Sequence, residues 1–139
     1  MKRNYLIATH GELAKGIQSS LNILAGKGDD VTVINAYMTD EDYTPVIVDF
    51  IKGINENEQG VIFTDLFGGS VNQKVVTEVV TAGREDIFIL SNVNLAIILS
   101  ILFLPEESAI TTEMIQEAIN ESQVTLVQTN QNDEAEDIF

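Results

Sequence analysis

The feature that most constrains the fold of this chain is a regular alternation. Short apolar runs of strand-forming residues are each followed by a stretch whose apolar residues recur every three or four positions. Tyr5–Thr9 (YLIAT), Val31–Ala36 (VTVINA), Gly60–Thr64 (GVIFT) and Ile87–Leu90 (IFIL) are the strand-like runs. After the first, Leu13, Ile17, Leu21 and Leu24 fall on one helical face, and Gly26 and Gly28 end that helix. Thr44-Pro45 opens the second helix as a cap residue followed by proline at the first helical position, with Val46, Ile47, Phe50, Ile51 and Ile54 as its apolar face. From Ser70 a third helical pattern turns Val71, Val75, Val76 and Val79 inward. Leu95–Phe103 then reads as a short apolar helix, Thr111–Glu121 as an amphipathic one and Val124–Val127 as a final strand.

Strands that alternate with helices build a mainly parallel sheet, covered on both faces and linked by right-handed crossovers. The expected fold class is therefore α/β, one doubly wound domain, with strand order 2-1-3-4 adopted as the commoner arrangement for a small domain. That domain spans residues 1–128, and the acidic stretch 129–139, which ends NQNDEAEDIF, is expected to be a frayed tail or a linker stub. In such sheets ligands bind beyond the carboxyl ends of the strands, where strand order reverses. His10 follows the first strand and Asp65 the third, so this order sets them face to face across the switch point.

Composition narrows the partners. The 7 basic and 22 acidic residues give a net charge of -15, which opposes binding to nucleic acid or to an anionic membrane surface and favours a basic or mixed protein partner. Without cysteine there is no disulfide, thiolate nucleophile or cysteine-based metal site. Tyr5–Ala8 is far too short for a signal-peptide core, and Ser91, Asn92, Asn94 and Ser100 interrupt the apolar segment from Ile87 to Leu104, leaving about half of the roughly 20 residues a spanning helix needs.

The chemistry converges on THG and DLFGGS. A carboxylate that accepts a hydrogen bond from one imidazole nitrogen fixes the tautomer and leaves the other nitrogen as a nucleophile or base, and Asp65 stands where it can do this for His10. Taken alone, His10 is as readily a polar loop residue and Asp65 a helix-flanking cap. Gly68-Gly69-Ser70 adds a second element: two glycines that let the backbone turn tightly and a serine suited to cap the following helix, so that free N–H groups and the helix dipole form an anion cradle. There is no nucleotide-triphosphate loop and no dinucleotide fingerprint. A receiver domain is excluded by the absence of acidic metal ligands after the first strand and of a lysine near the last. Ser19, Ser20 and Ser70 lack a nucleophile elbow. A flavin site is not excluded by the spacing but has nothing positive to support it, and what remains is an imidazole as phosphoryl acceptor, a reaction for which the cradle takes the place of a metal and no cofactor is required.

The order strand-THG-helix, strand-TDLFGGS-helix, then NVNL after the fourth strand resembles the IIA component of the mannose/fructose/sorbose family of the bacterial phosphoenolpyruvate-dependent sugar phosphotransferase system, over roughly Tyr5 to Val127. The resemblance implies a cytoplasmic phosphotransferase. Its histidine, His10 here, accepts a phosphoryl group from the phosphocarrier HPr and passes it to a IIB component, with the membrane IIC and IID components as indirect partners. It further implies that Asp65 orients the imidazole, leaving Nε2 as the phosphorylated nitrogen, and that a homodimer forms in which the strand Val124–Val127 pairs antiparallel with the partner's sheet. Leu95–Phe103 is then interface or plain core. Phe67 stands where many relatives carry tryptophan, and Leu95–Ala96 where proline is frequent. Some relatives continue into a IIB domain, whereas this sequence ends in the acidic tail, so that IIB is expected on a separate chain. The readings left beside this one are the related phosphoryl donor subunit of dihydroxyacetone kinase and a non-catalytic anion-binding α/β module.

Overall fold

The computed structural model describes residues 1–130; residues 131–139, most of the expected tail, lie outside the described residues. Four parallel strands form one sheet in the order β2-β1-β3-β4, where β1 is Arg3–His10, β2 Val31–Ala36, β3 Gln59–Thr64 and β4 Ile87–Leu90. The helices are α1 (Leu13–Ala25), α2 (Thr44–Lys52), α3 (Ser70–Ala82), α4 (Leu95–Leu102) and α5 (Thr112–Asn120). This is the doubly wound order expected, with β1 and β3 adjacent at its centre.

Alternation along the strands divides the core in two. Tyr5 and Ile7 of β1 and Val61 and Phe63 of β3 pack with α1, α4 and α5, while Leu6, Ala8 and Ile62 pack with α2 and α3 on the other face. With both faces covered, β1 is buried from Tyr5 to Thr9, and all six residues of β3 are buried. Phe63 is fully buried among these groups. Phe63→Ala is expected to lower the unfolding free energy by about 3–5 kcal/mol, measured by urea denaturation, because the cavity left beneath α4 cannot close without moving the sheet.

The helical faces differ in detail from the spacing. In α1 the buried residues are Ala14, Ile17 and Leu21, whereas Leu13 and Leu24 are exposed. The Ala14 N–H donates to the buried Thr9 Oγ1 at 2.8 Å, which docks the first turn against the end of β1 with a small residue inward and turns the flanking leucines out. In the same way Val46 and Val76 are exposed at the margins of faces built from Ile47 and Ile51 in α2 and from Val71, Val75 and Val79 in α3. Thr44 is the first residue of α2 rather than its cap. The preceding Asp42 carboxylate accepts from both its N–H and its hydroxyl. Gly26 ends α1 as expected, with φ 65° and its N–H on the Asn22 carbonyl.

One expectation fails for a reason the fold makes plain. Ser70 does not cap α3: Gly69 holds the cap position, and the Ser70 hydroxyl points elsewhere. Val124–Val127, expected to pair with the sheet of a second copy, joins no strand among the described residues of a single chain. A strand needs a neighbouring edge for its N–H and C=O groups, and this segment follows α5 with Val124, Leu126 and Val127 all strongly exposed. The helix α4 contributes Ile97, Ile98, Ile101 and Leu102 to the core, which decides its inner face in favour of packing within the chain.

Candidate functional site

The carboxyl ends of β1 and β3 lie side by side, with Ala8 paired to Thr64, so His10, two residues beyond Ala8, and Asp65, one beyond Thr64, emerge at one edge. Gly11 follows His10 with φ 62°, and its N–H bonds to the Ala36 carbonyl at the end of β2. The chain therefore turns sharply into α1 and leaves the imidazole at the rim, with its side chain 41% exposed while that of Asp65 is 10% exposed. One oxygen of Asp65, Oδ2, accepts from both the His10 backbone N–H and the ring Nδ1, each at 2.8 Å. The other, Oδ1, accepts from the Leu66 N–H at 3.0 Å. Burial raises the Asp65 pKa, but the hydrogen bonds from the His10 N–H and ring outweigh it and hold the carboxyl below its ordinary value. An ionised carboxylate on Nδ1 keeps the proton there and frees the Nε2 lone pair.

Nε2 faces Ser70 Oγ at 3.3 Å, at the start of α3. The helix has no internal carbonyls for the N–H groups of its first turn, so the positive end of its dipole lies beside the ring. Gly68 and Gly69 serve this edge differently from the expected cradle. The Gly68 N–H is accepted by Asn72 Oδ1 at 3.1 Å and the Gly69 N–H by the Leu66 carbonyl at 3.0 Å, so both are engaged within the loop. Their contribution is shape. Gly68 has φ 76°, and a side chain at Gly69 would press on Leu66 and come within van der Waals contact of His10 Cε1.

Three residues of the site escaped the sequence reading. Asn72 is buried in the first turn of α3, where its amide donates to Thr64 Oγ1 and Ser91 Oγ while its oxygen holds Gly68. Asn92, in the left-handed region at φ 55°, accepts the Phe67 N–H at 2.8 Å. Together these asparagines fix the loop that carries Asp65. Tyr37, immediately after β2, stacks on His10 with ring centroids 5.3 Å apart and planes inclined by 28°. Its hydroxyl is 2.7 Å from Ser70 Oγ. Burial, followed by the Tyr37 hydroxyl beside it, raises the Tyr43 pKa. The signal for Tyr37 was its position at the end of the strand next to β1. The asparagines lay in the segments GGSVN and SNVN, where only their buried or strained placement reveals a role.

Among the described residues no three His, Asp or Glu side chains converge as a metal site, and no helix is long and apolar enough to cross a membrane.

Fold and site together define a parallel α/β domain with a carboxylate-paired histidine at its switch point, beside a helix N-terminus. More narrowly, residues 4–119 match the family described as the PTS system fructose IIA component, and the chain belongs to that family. A Klebsiella pneumoniae protein described as a phosphoenolpyruvate-dependent sugar phosphotransferase system permease is 30% identical, with a TM-score of 0.75 over 86% of this chain and 85% of that one. The mannose/sorbose specific IIA subunit of Enterococcus faecalis matches with a TM-score of 0.71 at 20% identity, over 95% of this chain and 99% of that one. The phosphotransferase system component EIIA of Streptococcus agalactiae also gives 0.71, at 23% identity over 86% and 92% of the two chains. At those lower identities the likeness is one of fold. No curated protein matches in sequence.

Proposed function

We propose that this IIA component works as a cytoplasmic phosphoryl carrier in which His10 Nε2 accepts a phosphoryl group from phospho-HPr and passes it to a IIB component, which serves the membrane IIC and IID components in sugar uptake. The observation that carries this reading is the 2.8 Å bond between Nδ1 and Asp65, which in the neutral ring leaves the Nε2 lone pair free beside the N-terminus of α3. In the forward step the Nε2 lone pair forms a bond to phosphorus as the bond to the HPr nitrogen breaks, and that electron pair leaves with HPr. The ring gains positive charge as it attacks, and the adjacent carboxylate offsets it. Ser70 and the first turn of α3 supply donors to the phosphoryl oxygens, with Gly68 and Gly69 keeping the approach free of side chains.

Exposed apolar side chains flank this edge. Leu66 and Phe67 lie in the loop after Asp65, and Tyr37 and Met38 follow β2. An acidic protein with such a rim suits brief encounters with basic or mixed partners, in which charge steers the approach and a small apolar patch completes the contact. The test is incubation with phosphoenolpyruvate, enzyme I and HPr, followed by intact mass. One acid-labile phosphoryl group per chain is expected, and an unmodified mass rejects the proposal.

The same reading includes a homodimer. Val124 and Leu126, two residues apart in a segment outside helix and strand, are 92% and 89% exposed. Beside β4 lies a groove of about 590 Å³ lined by Phe88, Ile97, Ile115 and Ile119, which suits a strand from a second copy. Val124→Asp combined with Leu126→Asp is expected to shift the sedimentation coefficient from dimer to monomer. A wild-type chain that sediments as a monomer at micromolar concentration removes this part of the proposal.

A further inference from the structure

Tyr37 has an unusual backbone for its residue type. It lies at φ 67°, one of two non-glycine residues with positive φ among the described residues. An L-residue with a Cβ is disfavoured there, so the conformation persists only where its surroundings hold it. Burial does not hold it, since the side chain is 58% exposed. The turn instead swings the phenol back over the sheet edge, where its ring lies against His10 and its hydroxyl meets Ser70 Oγ at 2.7 Å.

The direction of each hydrogen bond follows from the carboxylate. With the Nδ1 proton given to Asp65, Nε2 is an acceptor, so the Ser70 hydroxyl donates to it. The Ser70 hydroxyl has one proton, and its oxygen therefore accepts from Tyr37. Tyr43 lies edge-on to Tyr37, with ring centroids 5.7 Å apart and its hydroxyl at 3.5 Å, and so closes the far side of the phenol. Ser70, the first residue of α3 and not its cap, has its rotamer set by the phenol and the imidazole.

We propose that Tyr37 is a positioning residue of this site: its ring fixes the plane of the His10 imidazole, and its hydroxyl holds Ser70 at Nε2, ready to donate to the phosphoryl group that arrives there. This rests on the reading of His10 as phosphoryl acceptor. When the Nε2 lone pair becomes the bond to phosphorus, the Ser70 proton loses its acceptor and turns to a phosphoryl oxygen nearby, while Tyr37 keeps the serine oxygen in place. The donor is thus oriented before the reaction rather than recruited from solvent during it.

The experiment compares Tyr37→Phe, which keeps the ring, with Ser70→Ala and with the double variant. Transfer from phospho-HPr is measured over a range of HPr concentrations. Each single variant is expected to lower the rate at saturating phospho-HPr by about 10-fold, with KM changed less than about 2-fold and no further loss in the double variant. A role in docking alone raises KM instead, and an independent role makes the losses multiply; either result overturns the proposal, as does an unchanged rate in Tyr37→Phe. A second readout needs no partner. The Nε2 nitrogen chemical shift of the unphosphorylated chain is expected to move in the same direction and by a similar amount in both single variants, as its lone pair loses the serine proton. If the wild-type chain accepts no phosphoryl group, the carrier reading fails, and this shift alone decides the positioning role, with an unmoved shift in Tyr37→Phe rejecting it.

Discussion

His10→Ala is expected to accept no phosphoryl group from phospho-HPr while keeping the fold. His10 is the chain's one histidine, so the variant has no imidazole to form a phosphoramidate or to activate a hydroxyl in its place. Ser70 is the nearest alternative oxygen, and it loses the ring beside it in the same substitution. The fold survives because the side chain is 41% exposed and the backbone N–H of residue 10, which donates to Asp65, remains after truncation. Loss of the Nδ1 bond to Asp65 is expected to lower the unfolding free energy by about 1–2 kcal/mol, as removal of the carboxylate does. Intact mass after incubation with phosphoenolpyruvate, enzyme I and HPr reads the result, and a thermal melt beside it verifies folding. A phosphoryl label on the variant equal to that on the wild type would move the acceptor to another residue.

The central architecture was legible because its physics is local. Val31–Ala36 and Ile87–Leu90 appear as strands with the bounds their apolar runs indicate, and the order that sets β1 beside β3 is the one adopted for a small doubly wound domain. The meeting of His10 with Asp65 followed from that order, since both leave the sheet at the same edge. What escaped depended on contacts between residues distant in sequence. The inner face of α1 is set by Thr9 Oγ1 holding the Ala14 N–H, which the spacing of leucines does not encode. The N–H groups of the glycine turn are engaged because Asn72 and the Leu66 carbonyl reach them, and no triplet motif contains that information. Tyr37 reaches the site through a left-handed backbone, which a pattern of apolar residues cannot reveal in a tyrosine. Val124–Val127 has the composition of a strand, but the edge it would need is not supplied within the described part of a single chain.

Asp65→Asn is expected to slow phosphoryl acceptance by about 10²- to 10⁴-fold with little change in KM, by analogy with carboxylates that hold an imidazole tautomer elsewhere. The amide is nearly isosteric but offers one acceptor oxygen in place of two. If that oxygen faces His10, the amide NH2 meets the Leu66 N–H, donor against donor; if it faces Leu66, the NH2 meets Nδ1 and drives the proton to Nε2, which removes the nucleophile. Either orientation also loses the negative charge that offsets the ring during attack. The stability of the same variant carries a pH signature whose sign is fixed. Despite the opposing effect of burial, the bonds from His10 place the Asp65 pKa below its ordinary value in the folded chain, so the ionised carboxylate stabilises the wild type above the unfolded pKa near 4. That contribution fades as pH falls through the lower folded value. The wild type is therefore expected to exceed Asp65→Asn by about 1–2 kcal/mol in urea denaturation at pH 7, and the gap to narrow steadily below about pH 4. A gap that is constant across this range would mean that the charge on Asp65 contributes nothing to holding His10, and the loss of transfer in the variant would then have to come from shape alone.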